Sequence, residues 1–242
     1  MQQQPGTTAK TPTWHQLSRR FAGERDCLAA FLAMETAEVL AGVKPANLIN
    51  LADRPQSCGR NLFRLWQRHG HSLLAASGLN WRELPGRRGG VLLLIYHTKT
   101  LTELLARPAT QAVLTRVGYA NPANPAAALE QLSQRLRQQA FPHEIGVFLG
   151  YPLKDVAAFL GWVKLPYTCQ ALWRIYGKPE ASLALAEVFR QSRCRMAQRL
   201  TSGTAVDCLR SALTGAMTCA QTENGIHPHK RGIECASLSS AA

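Results

Sequence analysis

Residues 141–156 read Phe-Pro-His-Glu-Ile-Gly-Val-Phe-Leu-Gly-Tyr-Pro-Leu-Lys-Asp-Val, and the rest of the chain is organised around them. The apolar run at 145–149 predicts a short buried strand. Gly150 follows it and permits a backbone shape that other residues avoid, which predicts a sharp turn. Pro152 suits the first turn of a helix, and Asp155 lies near the positive end of that helix. The stretch therefore predicts a strand, a turn and a helix.

The clearest strand lies upstream at residues 91–96, where Val-Leu-Leu-Leu-Ile-Tyr forms an unbroken apolar run. Such a run is typical of a central strand that is covered on both faces. Two further strands are predicted at 47–51 and 172–176, while the Gly- and Arg-containing stretch 81–90 predicts a loop. Helical spacing of apolar residues predicts one or two helices within 14–41 and further helices at 60–69, 100–117 (broken near Pro108), 126–139 and 179–200.

Helices that alternate with strands in this way predict a helix-rich α/β or α+β fold, with helices packed on a mixed sheet of about four strands. The chain has 242 residues, of which 46% are hydrophobic, enough for one substantial core. We expect a disordered N-terminus at 1–13 and a single domain at 14–200. Residues 201–242 are expected to form a weakly structured or disordered tail with at most one weak helix at 206–217.

Composition indicates a cytoplasmic protein. No stretch approaches the apolar length needed to cross a bilayer, and the first residues lack the pattern of a signal peptide, so we expect no membrane association. The cysteines are odd in number and include no Cys-x-x-Cys pair, which favours free thiols in a reducing compartment and disfavours zinc ribbons and iron–sulfur clusters. The seven cysteines are Cys27, Cys58, Cys169, Cys194, Cys208, Cys219 and Cys235.

The chain is strongly basic, with a formal net charge of +13. Such a charge favours encounters with anionic molecules of any kind. Arg60, Arg64 and Arg68 recur every four residues in a predicted helix and would line one face of it. This row either is simply solvated or docks an acidic protein partner. Nucleic acid is disfavoured as a partner, because no helix-turn-helix or RNA-binding motif is present.

The 141–156 stretch, together with Leu132-Ser-Gln-Arg-Leu136 and the segment 39–48, resembles an uncharacterised bacterial family classed as a domain of unknown function. The resemblance covers roughly residues 25–200 and rests on the signature FPHEIGxFLGYPxxDV with an upstream LAGxKPANL segment. It implies a soluble protein, often encoded near flavodoxins or iron-uptake genes, and hence an acidic partner such as a flavodoxin. The sequence departs from the family pattern at Tyr96-His97 and at Ala171-Leu-Trp-Arg-Ile-Tyr176, where ligand specificity would differ.

The predicted turn is our first candidate site. A helix that starts after Gly150 and Tyr151 can aim backbone N–H groups at an anion. Lys44, Asp155 and Arg174 are candidate companions, and we expect them to border an open, positively charged hollow. The ligand would be a small anion or a redox cofactor whose identity the sequence does not give. The alternative is a tight connection that packing alone requires.

His143 and Glu144 are the candidate catalytic residues. The ordinary pKa of histidine suits proton transfer, so His143 is a candidate general acid or base. Neighbours in a strand face opposite sides, so the two cannot share one pocket without a bulge. The alternative is that His143 ties a loop and Glu144 pairs with an arginine. The sequence leaves open whether the protein is an enzyme.

Two weaker patterns remain. Tyr96, Tyr119, Trp173 and Tyr176 would suit a flat cofactor such as flavin, although aromatic residues near strands are usually core. The tail contains ligand types for a soft metal, but a single His-x-His with distant cysteines is a weak pattern, so we assign no metal site. Its candidate ligands are Cys219, His227, His229 and Cys235.

Overall fold

The computed structural model describes residues 14–56, 58–85, 89–138 and 141–210. The model confirms the predicted helix-rich fold with few strands. Of the two classes predicted, the fold is α+β. The predicted N-terminus 1–13 and most of the predicted tail lie outside the described residues. Within these ranges, no helix is both long enough and apolar enough to cross a membrane.

The first half of the chain surrounds a three-stranded sheet. Its elements are α1 (Trp14–Ser18), α2 (Glu24–Glu35), α3 (Ala37–Leu40), β1 (Ala46–Leu51), α4 (Leu62–Leu65), a π-helical segment (Trp66–Gly70), α5 (His71–Ala75), β2 (Asn80–Pro85) and β3 (Val91–Tyr96). The second half contains α6 (Thr98–Leu105), α7 (Pro108–Val117), α8 (Pro125–Arg137), α9 (Ile145–Phe148), α10 (Leu153–Phe159), β4 (Tyr167–Gln170), β5 (Arg174–Tyr176), α11 (Glu180–Ser202) and α12 (Ala205–Arg210).

β3 is the central strand of the first sheet, as predicted, and the strand order is β1-β3-β2. Both neighbours run antiparallel to it. Successive side chains of a strand point to opposite faces. Leu93 and Ile95 therefore join one hydrophobic cluster, with α2, α5 and α12, while Leu94 joins the other, with α6 to α10. Burial on both faces explains why β3 is apolar at every position.

The strands do not form one mixed sheet. β4 and β5 pair antiparallel with each other as a separate hairpin. The sequence shows how many apolar runs there are but not which runs pair, because pairing depends on contacts between residues far apart in the chain. The hairpin packs instead against α10 and, through Trp173, Ile175 and Phe189, against α11.

Two predictions of local structure are wrong. Residues 145–148 form α9, not a strand, because a five-residue apolar run is equally compatible with one buried helical turn. Residues 80–85 form the edge strand β2, not a loop. Arg82 reaches across to Glu130 of α8, and Pro85 lies at the strand end, where a missing N–H is tolerated.

The predicted helices are otherwise found, with small shifts of their ends. α6 and α7 separate near Pro108, as expected, and α11 covers the predicted long helix at 179–200. Phe189 of α11 is buried, whereas Leu183 is exposed. The first five residues of the weak helix expected at 206–217 lie in α12, which begins one residue earlier.

Candidate functional site

The turn between α9 and α10 is the first element of the site. Gly150 has a φ of 74°, in the left-handed region that favours glycine. A Cβ placed there would lie 2.6 Å from Cδ of Pro45, so the chain before β1 also requires a glycine. Pro152 caps α10 instead of occupying its first turn. A sharp turn at 150–152 is thus confirmed, between two helices.

Asp155 in the first turn of α10 is buried and accepts four hydrogen bonds. Oδ1 accepts from Lys154 Nζ at 2.7 Å and from Tyr176 N at 3.0 Å. Oδ2 accepts from Trp173 Nε1 at 2.9 Å and from Ser182 Oγ at 2.6 Å. The carboxylate therefore joins α10, β5 and α11, and its hydrogen-bonding capacity is spent on the fold. Although burial alone would raise it, these donors hold the pKa of Asp155 below its usual range.

A cavity of about 280 Å³ lies beside this turn, between β1, α9, α10 and the β4–β5 hairpin. Its buried lining is almost entirely apolar. Asp155 is the exception, with its charge already engaged by Lys154. The buried lining residues are Ile145, Gly146, Leu149, Asp155, Val156 and Trp173. The expected hollow is therefore present, but its interior is hydrocarbon and not positively charged.

The exposed part of the lining contains the polar groups. His143 and Arg174 both line the cavity and are both solvent-exposed. The Phe159 ring lies between them, with its centroid 5.1 Å from that of the His143 ring and 5.9 Å from the Arg174 guanidinium carbon. Phe141 packs on the other side of His143 at 6.2 Å. The mouth thus combines aromatic rings with one permanent cation and one titratable imidazole.

Tyr151 separates the cavity from a group of buried charges. Its ring stacks on Trp173, with centroids 4.6 Å apart and planes 24° apart. Lys44 Nζ lies 5.5 Å from the Tyr151 centroid and 5.3 Å from that of Phe189. Lys44 was expected beside the ligand, but it is absent from the cavity lining and instead donates to Asn47 at 2.8 Å.

The charges around Lys44 compensate one another. Arg193 Nε donates to Glu38 Oε1 at 2.6 Å, and Arg193 also lies 3.5 Å from Glu35 Oε2. Burial lowers the pKa of Lys44 to about 8, although Glu38 opposes this shift. Burial, with Glu38 nearby, raises the pKa of Tyr151. Two cations and two carboxylates are thereby held behind the cavity wall.

Glu144 lies away from the cavity. It is buried, accepts from Tyr119 Oη at 3.4 Å and from Arg135 NH1 at 3.2 Å, and joins α8 to α9. The alternative stated for it, a carboxylate paired with an arginine, describes this placement. His143 and Glu144 are adjacent in sequence but only His143 lines the cavity.

The row of arginines also differs from the expectation. Arg60 precedes α4 and donates to Ala22 O, while Arg68 lies in the π-helical segment. Arg64 pairs with Asp53 at 3.4 Å, and Arg68 pairs with Glu24 at 2.6 Å. Each guanidinium thus already contacts a group of this chain, and a single helix face does not carry all three, because Arg60 lies before the helix begins.

Sequence reasoning missed Phe141, Phe159 and Leu172 as lining residues. Their only sequence signal is a large apolar side chain close to a predicted turn, which does not distinguish a cavity wall from core. Trp173 was weighed as a cofactor contact and as core, and it both packs on Phe189 and lines the cavity. Tyr119 is buried core. The weak metal-ligand pattern of the tail lies outside the described residues.

Comparisons with known proteins add a family and nothing more specific. A family model described as Protein of unknown function (DUF3793) matches residues 32–210. No curated protein and no solved structure matches the chain.

Proposed function

The chain belongs to the family described as Protein of unknown function (DUF3793), and for this member we propose that the cavity beside Gly150 binds a small amphipathic anion. The apolar body of the ligand fills the cavity, and its acidic group meets Arg174 and His143 at the mouth. The observation that carries the proposal is the contrast between a buried apolar lining and an exposed cation at the opening. Ligand sites in proteins commonly have this composition.

The size of the cavity limits the ligand. Its volume of about 280 Å³ corresponds to roughly nine water molecules in the liquid. A short-chain or aromatic carboxylate can be enclosed, whereas an intact flavin nucleotide would protrude into solvent. A small organic anion is therefore favoured over a redox cofactor of that size.

The contacts of the acidic residues near the cavity favour a binding protein over an enzyme. Asp155 and Glu144 are engaged within the fold, since Asp155 accepts from Trp173 and Ser182 and one oxygen of Glu144 accepts from Tyr119 and Arg135. His143 lines the cavity at its mouth and is solvent-exposed. We infer a binding protein, with His143 as a ligand contact.

We also infer a cytoplasmic location. The cysteines of the chain are odd in number and include no Cys-x-x-Cys pair. This pattern favours free thiols in a reducing compartment over a disulfide framework.

The test is calorimetric titration of the purified full chain with straight-chain carboxylates from hexanoate to decanoate, with the matching alkylammonium ions as opposite-charge controls. Each added methylene that enters the cavity should tighten binding about fourfold, since its burial is worth about 0.8 kcal/mol. The alkylammonium ions should bind more weakly than the carboxylates of the same length.

Two variants locate the site. Arg174→Gln should weaken carboxylate binding by about tenfold and leave alkylammonium binding unaffected or improved. Lys164→Gln removes an equally exposed cation that does not line the cavity, and it should leave the affinity within about twofold. Absence of carboxylate binding to the wild type, or equal effects of the two substitutions, would contradict the proposal.

A further inference from the structure

Exposed apolar side chains are concentrated around the cavity mouth and the β4–β5 hairpin. The loop before β4 and the strand itself contribute Val163 (43% exposed), Leu165 (38%) and Tyr167 (57%), and the hairpin turn contributes Leu172 (48%). Residues 163–168 are exposed at six consecutive positions. Exposed apolar groups that cluster in this way mark interaction surfaces, whereas single ones need no explanation.

The charge of the same segment has one sign. Residues 156–179 contain Lys164, Arg174 and Lys178 and no Asp or Glu. All three cations are exposed, and no ion pair within the described residues engages them. We call the surface formed by these apolar and basic side chains the hairpin face. It consists of Val163, Lys164, Leu165, Tyr167, Leu172, Arg174 and Lys178.

We propose that the hairpin face docks on an anionic lipid bilayer surface, a peripheral contact that needs no membrane-spanning helix and that departs from the expectation of no membrane association. Apolar and aromatic side chains would enter the headgroup region while the lysines and the arginine contact lipid phosphates. The inference rests on the proposed function in one respect: Leu172 and Arg174 belong both to the hairpin face and to the cavity lining. An amphipathic anion is concentrated at a bilayer surface, so a cavity that opens there would meet its ligand at high local concentration.

Other occupants fit the hairpin face less well. A second copy of this chain would place like charges opposite one another, which opposes association. A partner that adds a strand to the edge of β4 would find only four residues, with an irregular register between Tyr167 and Cys169. Short and irregular edges of this kind resist strand addition.

The test is co-sedimentation of the purified chain with vesicles of phosphatidylcholine alone and of phosphatidylcholine mixed with phosphatidylglycerol. We expect binding to the mixed vesicles only, and weaker binding as salt is added. The triple variant Lys164→Gln, Arg174→Gln, Lys178→Gln should lose about a hundredfold in affinity, because each charge near the surface contributes about 1 kcal/mol. The double variant Leu165→Ser, Tyr167→Ser should also bind more weakly while retaining the charge.

A matched control separates this face from the general basic charge of the protein. Three exposed arginines lie near the hydrophobic cluster that contains Leu93 and Ile95, and their substitution by Gln removes the same charge. They are Arg19, Arg25 and Arg54. An equal loss in the two triple variants would overturn the proposal, since it would show attraction by net charge alone.

Lack of binding to mixed vesicles would likewise overturn the proposal and leave an acidic protein as the partner of this face. The proposed ligand site is judged separately, because carboxylate titration in solution needs no vesicles. Vesicle binding without carboxylate binding would support the docking surface and contradict the ligand.

Discussion

Replacement of Asp155 by Asn is expected to destabilise the fold severely while changing almost no volume. An amide retains one acceptor oxygen and presents an NH2 group in place of the other. With the amide nitrogen at one position, Lys154 and the Tyr176 amide would face another donor; at the other position only Trp173 would, because the Ser182 hydroxyl can rotate and accept. Leaving a buried donor without its acceptor costs about 1–3 kcal/mol. Asp155→Asn should therefore lower the free energy of unfolding by about 1–6 kcal/mol at pH 7.

The dependence on pH follows from the depressed pKa of Asp155. A carboxyl whose pKa is lower in the folded state stabilises the fold above its unfolded value, and this stability is lost as the pH falls through the folded value. The unfolded value is about 3.9. The difference in unfolding free energy between wild type and Asp155→Asn should thus be constant near neutrality and shrink progressively below about pH 4.

Urea denaturation followed by tryptophan fluorescence measures both effects. Ser182→Ala removes one of the four donors and should cost about 1 kcal/mol, which gives a graded series. Asp207→Asn alters an exposed carboxylate that accepts from Thr204, and it should cost less than about 1 kcal/mol. The reasoning would be refuted by a cost below about 1 kcal/mol for Asp155→Asn at pH 7, or by a cost that persists unchanged at pH 3.

Two further predictions concern the same region. Gly150→Ala should lower the unfolding free energy by clearly more than Gly161→Ala in urea titrations. Both glycines have a φ of 74°, but only a Cβ at position 150 would meet Pro45, at 2.6 Å. Equal costs would show that Pro45 moves aside. The wild type should gain unfolding free energy between about pH 8 and pH 9.5, and Lys44→Met should not. Burial lowers the pKa of Lys44 to about 8, so in this range the unfolded state binds a proton that the folded state does not. A wild type that shows no such rise relative to Lys44→Met would contradict this.

The central strand and the turn were predictable from sequence because each depends on a local property. β3 is apolar at every position, and a glycine before Tyr-Pro predicts a reversal whatever precedes it. The type of element at 145–148 was not predictable, since four apolar residues make either a helical turn or a strand and the neighbours decide. The edge strand β2 was missed because Arg82 and Glu83 satisfy their charges at Glu130 and His71, contacts that only the folded chain supplies.

The candidate site was predictable in its position but not in its chemistry. His143, Tyr151, Asp155 and Arg174 do line one cavity, although only Asp155 and Arg174 lie in regular elements, α10 and β5. The positive charge expected there comes from Arg174 alone among the described lining residues, because Lys44 lies away from the lining, in contact with the Tyr151 ring. Which way a side chain points depends on packing between distant segments, and the net charge of the chain does not reveal it.

The residues of the 141–156 stretch divide by what their polar groups contact. Glu144 and Asp155 are buried, and their oxygens bind donors from α8, β5 and α11, so changing either should damage the fold before it alters any ligand. His143 and Phe141 are exposed at the cavity mouth, so their substitution should alter binding at little cost in stability. A family match over residues 32–210 therefore indicates the scaffold more directly than the proposed ligand, which would contact the few exposed side chains at the mouth.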